Sequence, residues 1–137
     1  MKPFLGIDWG RARVGVAASD ELGLMAHPVE TVKVPSRAAV VDRIKAIAER
    51  LGAGGVVVGL PLNMDGTEGE SALAARAFGA VLGEATALPV HFQDERLTSR
   101  SLAGVPLRKK GPGLDAAAAC LILQGFLNAR RREGEQA

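Results

Sequence analysis

Three short apolar runs fall within the first 34 residues, separated only by turn residues, before any helical period appears. Phe4-Leu5-Gly6-Ile7-Asp8-Trp9 reads as a buried strand, and Gly10-Arg11-Ala12 as a turn. Val14 to Ala18 reads as a second strand that closes a hairpin. Asp20-Glu21-Leu22-Gly23 turns the chain into a third strand over 24–34, and Pro28 assigns that strand to a sheet edge. The opening is therefore an antiparallel meander. It must bury one face against something that follows.

The period then changes. After Pro35 and the candidate N-cap Ser36, Val40, Ile44, Ile47 and Leu51 recur at helical spacing until Gly52. Gly55 to Leu60 is a continuous apolar strand, as expected when both faces are covered. A second helix over 70–85 carries Ala74, Phe78, Val81 and Leu82 as its stripe, and Pro89–Asp94 forms the last strand. Thr98 or Ser99 can cap a short helix, 105–113 is a loop, and a final helix runs from Asp115 to about Arg131. The order βββαβαβα requires parallel crossovers after the meander. The expected fold class is α/β, one five-stranded mixed sheet flanked by helices. With 137 residues the chain reads as a single domain, 1–137, with 133–137 as a disordered tail.

Several functions drop out. One cysteine, Cys120, and two histidines give no disulfide and no Cys-rich zinc site, and Cys120 reads as a core residue. The uncharged stretches 51–64 and 116–129 are shorter than a membrane span, and no secretory leader is visible, so the expected setting is the cytoplasm with no membrane partner. Neither a dinucleotide fingerprint nor a phosphate-binding GxxxxGK occurs.

Charge supplies the positive lead. The net charge is only +2, but it is unevenly spread. Residues 1–95 carry nine basic and twelve acidic side chains, whereas 96–132 carry eight basic ones against the single acid Asp115. Asp8 ends an otherwise apolar strand, and such a carboxylate needs a metal, a base or hydrogen bonds; a turn-forming Asp is an equal alternative. Glu95 follows the last strand, at the sheet end where α/β sites form, though it can equally be a surface acid paired with Arg96. Asp115 alone reads more simply as a helix N-terminal residue. Three carboxylates converging from separate elements would repel one another without divalent cations. Such clusters hold paired metals about 4 Å apart for phosphodiester chemistry. The basic segment 96–113 would grip a phosphate-rich substrate beside them. Trp9 can stack a base or simply pack, and Arg130-Arg131-Arg132 can contact substrate or simply complement the helix dipole.

Four segments, in order, resemble the YqgF (RuvX) family: Gly6-Ile7-Asp8-Trp9-Gly10-Arg11-Ala12-Arg13-Val14-Gly15, Val58-Gly59-Leu60-Pro61-Leu62-Asn63-Met64-Asp65-Gly66-Thr67, Asp94-Glu95-Arg96-Leu97-Thr98, and Asp115-Ala116-Ala117-Ala118 with Ile122-Leu123-Gln124. The resemblance spans residues 4 to about 127. It implies an RNase H-like fold and a nuclease of the 5′ end of pre-16S rRNA, with Holliday-junction resolution as the alternative. It implies Asp8, Glu95 and Asp115 as catalytic, metal-holding acids, and Mg²⁺ or Mn²⁺ as cofactor. Trp9 departs from the family's usual Tyr or Phe, while Arg13 matches its basic residue before the second strand. Arg13, Asn63, Arg96, Arg100, Lys109 and Lys110 are the expected substrate contacts. The partner is then nucleic acid, structured or single-stranded RNA or branched DNA, bound by a monomer or homodimer. Gly6-Ile7-Asp8-x-Gly10 also resembles the phosphate hairpin of actin/Hsp70-type ATPases, but those clamp ATP between two such domains and this chain has one. A nucleic-acid-binding module without catalysis is the third reading.

Overall fold

The computed structural model describes residues 2–10, 12–96 and 113–136. Its strands are β1 (Phe4–Asp8), β2 (Arg13–Ser19), β3 (Ala26–Lys33), β4 (Gly55–Leu60) and β5 (Val90–Asp94). Its helices are α1 (Arg37–Leu51), α2 (Glu70–Thr86) and α3 (Gly113–Gln136). The strands form one sheet in the order β3-β2-β1-β4-β5. The meander pairs antiparallel, and β4 and β5 add in parallel. This is the expected mixed topology. β3 lies at an edge, and its pairing steps from Val16 opposite Glu30 to Ala17 opposite Pro28. The bulge this creates, with the proline, blunts that edge against further pairing.

The pleat sorts side chains into two layers. Leu5, Ile7, Val14, Val16, Val56 and Val58 pack with α1 and α2 through Val40, Ile44, Phe78 and Leu82. Phe4, Ala17 and Val57 face α3 through Ala119, Ile122, Leu123 and Phe126. Full burial of residues such as Ile7 and Phe78 is worth roughly 1.5–3 kcal/mol each.

Local signals set the helix ends. Ser36 Oγ accepts the Ala39 N–H at 3.1 Å, and Gly52 takes the left-handed conformation (φ 65°) while its N–H caps the Ala48 and Glu49 carbonyls. Gln124 fastens α3 to the edge: it accepts the Ala26 N–H at 2.9 Å and donates to the Leu24 carbonyl at 2.8 Å.

Three details differ from the sequence reading. Leu51 is exposed, and α1 buries Val41 and Ala48 instead. On α2 Ala74 is exposed and the buried side is Ala72, Ala75, Phe78, Gly79 and Leu82. Alanine-rich helices define their phase weakly, because a small apolar side chain costs little on either face. Finally, α3 continues past Arg131 to Gln136, taking in residues expected to form a loose tail. Among the described residues no helix is long and apolar enough to cross a membrane.

Candidate functional site

Asp8 is the last residue of β1, on the α3-facing side, directly opposite Gly15 of β2. Two glycines let α3 descend onto the sheet at this end. A Cβ on Gly15 would collide with the Asp115 carbonyl, and one on Gly59 would collide with the Glu95 carboxylate and Ile122. Bare backbone at both positions is thus what places Asp115, in the first turn of α3, and Glu95, just past β5, over the end of β1 and β4. The Glu95 N–H donates to the Leu60 carbonyl at 3.2 Å, tying its backbone to the end of β4.

The electrostatics join the three acids. Burial and the Asp115 charge push the Asp8 carboxyl up to about 6. Burial, then Asp8 and Asp94, push Glu95 up to about 7. Asp115 pairs with Arg13 at 3.1 Å. The donor set consists of hard oxygens and suits a divalent cation. Mutual repulsion is also what such an ion would relieve. The three acids do not form a closed coordination shell: among the described residues no group of three or more His, Cys, Asp or Glu is gathered tightly enough for that. Arg13 occupies the Asp115 carboxylate instead.

The other expected contacts sort differently. Arg96 is engaged: it donates to Asp94 at 2.7–3.2 Å and to the Met64 carbonyl at 3.1 Å. This pair holds the Asp94 carboxyl below the usual range and turns it away, leaving Glu95 as the inward acid. Asn63 donates to Thr67 Oγ1 at 2.9 Å inside a tight loop whose Gly66 N–H returns to the Asn63 carbonyl. The loop is thus self-supporting and fastened by Arg96 to the end of β5. Arg100, Lys109, Lys110 and the capping candidates Thr98 and Ser99 lie outside the described residues. Trp9 stacks on Phe78, centroids 4.3 Å apart and planes 15° apart, on the face away from Asp8. Cys120 is half-buried and its thiol is pushed up to about 11, which leaves it a poor nucleophile. His91 lies edge-on to Phe4 and Phe126.

Sequence reasoning missed Gly15, Gly59 and the Arg96–Met64 fastening. Gly55, Val57 and Gly59 alternate along β4 on one face. That period-two spacing was the available signal for a helix pressed close to that side.

Comparison with known proteins agrees with this geometry. The sequence model of a family named RuvX, described as Holliday junction resolvase, matches residues 2–129. A protein of Anaeromyxobacter sp. (strain Fw109-5) named "Putative pre-16S rRNA nuclease" is 43% identical over 93% of this chain and 97% of its own length. One of the same name from Lactobacillus helveticus (strain DPC 4571) is 42% identical over 94% of this chain and 98% of its own. Among solved structures, T. thermophilus RuvC in complex with a Holliday junction substrate superposes with a TM-score of 0.64 at 17% identity, covering 96% of both chains. That similarity identifies the fold as RNase H-like.

Proposed function

This chain belongs to the RuvX family, and from that premise we propose that it is a divalent-metal-dependent endonuclease acting at the 5′ end of precursor 16S rRNA. The observation that carries the reading is the coupling of Asp8 to Asp115 and of Glu95 to Asp8 at one end of the sheet, with Asp8 and Glu95 both raised by burial and by a neighbouring acid. Relatives at 42–43% identity over most of the chain carry a nuclease name that supports it.

Asp8, coupled electrostatically to both other acids, would hold the metal together with Asp115 and Glu95. Mg²⁺ or Mn²⁺ suits the all-oxygen donor set. Bound there, the dication supplies Lewis-acid catalysis of phosphodiester hydrolysis. Glu95 at about 7 shares a proton with solvent at neutral pH and would release it on loading. Arg13, paired with Asp115 and exposed to solvent, would hold a substrate phosphate. The loop at Asn63 would border the substrate, and Arg100, Lys109 and Lys110 join this proposal on charge alone. An rRNA substrate would place the protein in the cytoplasm.

The family's description favours a second substrate, the four-way DNA junction. The two differ in assembly. A junction needs two active sites and so a homodimer, whereas one RNA strand needs a single site. The test is to incubate the protein with precursor rRNA, single-stranded RNA and a four-way junction, with Mg²⁺, Mn²⁺ or EDTA, beside Asp8→Asn. Metal-dependent cleavage of the rRNA that Asp8→Asn abolishes is expected. Equal cleavage by both proteins overturns the site, and junction cleavage alone overturns the rRNA reading. Calorimetric titration with Mn²⁺ reads the metal separately: Asp8→Asn should weaken binding at least tenfold.

A further inference from the structure

The triple arginine near the C-terminus is not a helix cap. α3 runs on to Gln136, its last turn holds no basic residue, and so Arg130 lies within the helix rather than at its dipole end. The Arg130 guanidinium lies over Phe4 and Phe126, 4.9 and 5.6 Å from their centroids. Two buried rings thereby fix a cation at the surface, and among the described residues no carboxylate pairs with it. It overlooks an open groove of about 560 Å³ between β5 and α3, lined by His91, Gln93, Phe126, Arg130 and Glu133.

The groove leads to the carboxylates. His91 and Gln93 lie on one face of β5 and Glu95 follows its end on the same side: His91 packs on Phe126, Gln93 lies against Gly125, and Glu95 shares the space over Gly59 with Ile122. α3 rises about 22 Å between Asp115 and Arg130 at about 1.5 Å per residue. That spans about six stacked nucleotides at 3.4 Å each. A strand held at Asp8 and leaving along β5 would meet Gln93, then His91, then Arg130. Gln93 and His91 offer hydrogen-bonding side chains, and Arg130 a preorganised charge suited to phosphate.

We propose that the β5–α3 groove binds the single-stranded RNA that flanks the scissile phosphate, with Arg130 holding a phosphate about six nucleotides away. This rests on the nuclease reading and adds the path of the substrate to it. Glu133 faces the same groove and opposes the phosphate, which supplies an internal control.

The test measures anisotropy of a labelled 16-nucleotide single-stranded RNA against salt in EDTA, so that no cleavage intervenes. Arg130→Met keeps an apolar stem over the rings. It should raise Kd about fivefold and lower the log–log salt slope by about 0.7, the value for one fewer neutralised phosphate on a single strand. Glu133→Gln should lower Kd two- to threefold at the same salt. A five-nucleotide RNA should not distinguish Arg130→Met from wild type. Unchanged Kd and slope for Arg130→Met, or no tightening by Glu133→Gln, overturns the groove; the second result stands even if Arg130→Met folds poorly. A wild-type dimer in sedimentation that Arg130→Met dissociates also overturns it, because the groove is then a contact between copies. Wild type that binds no RNA overturns the nuclease reading together with the groove, whereas metal-dependent cleavage with Arg130-independent binding overturns the groove alone.

Discussion

Gly15 and Asp115 meet backbone to backbone: a Cβ on Gly15 would enter the Asp115 carbonyl. This close approach ties the position of a carboxylate on α3 to a residue of β2 that has no side chain. Gly15→Ala should therefore lift the start of α3 from the sheet. Overpacking of this kind costs about 1–3 kcal/mol, read by denaturant unfolding. The rest of α3 keeps its buried packing through Leu123 and Phe126, so the fold should survive while Mn²⁺ affinity falls. A variant with wild-type stability and wild-type metal binding would show that the helix can shift without cost.

The acids make metal-free stability depend on pH. Asp8 is raised from 3.8 to about 6 and Glu95 from 4.5 to about 7. The folded state thus holds protons that the unfolded chain has released, so the stability these groups contribute is complete below about pH 4 and is lost as pH rises through 6 and 7. In EDTA the melting temperature should fall by several degrees between pH 5 and pH 8. Asp8→Asn should flatten the fall, and saturating Mg²⁺ should largely remove it. A rise over the same window would contradict the burial of these carboxylates.

Much of this was legible from the residue pattern, because strand and helix signals here agree with the packing. Ser36 and Gly52 bound α1, and Pro28 marks the edge strand. Asp8 and Glu95 fall at strand ends, and parallel strands bring such ends to one side of a sheet. What was not legible depends on interactions between distant segments. Arg96 opens a basic segment and invites a phosphate, yet its partners are Asp94 beside it and the Met64 carbonyl 32 residues earlier. Gly15 looks like any small strand residue until α3 is laid across it.

Arg96 is accordingly expected to act on the site through position. Its ion pair with Asp94 is open to solvent on one side, with about a third of each side chain exposed, and surface pairs contribute about 0–1 kcal/mol. Arg96→Ala should therefore barely change unfolding. It should release the Met64 carbonyl and let Asp94 compete with Glu95, lowering kcat about tenfold or more with a smaller change in KM. The reverse split, a raised KM at unchanged kcat, would make Arg96 a phosphate contact instead.

Trp9 provides the last test, because its place in the fold separates packing from substrate contact. It follows Asp8 directly, so the two side chains leave the backbone on opposite sides of the sheet. Asp8 faces α3, whereas Trp9 stacks flat on Phe78, a wholly buried residue of α2. An aromatic pair of this geometry contributes about 0.5–1.5 kcal/mol beyond area burial. Trp9→Phe should keep an aromatic surface against Phe78, with cleavage within about twofold of wild type and stability down by about 1 kcal/mol. Trp9→Ala should cost more, about 2–4 kcal/mol, because the cavity opens against a ring that cannot collapse to fill it. Trp9 is the only tryptophan, so intrinsic fluorescence reports on it alone. Saturating single-stranded RNA should leave both the emission maximum and its intensity unchanged. Saturable quenching by RNA would place the indole against a base and remove it from the core.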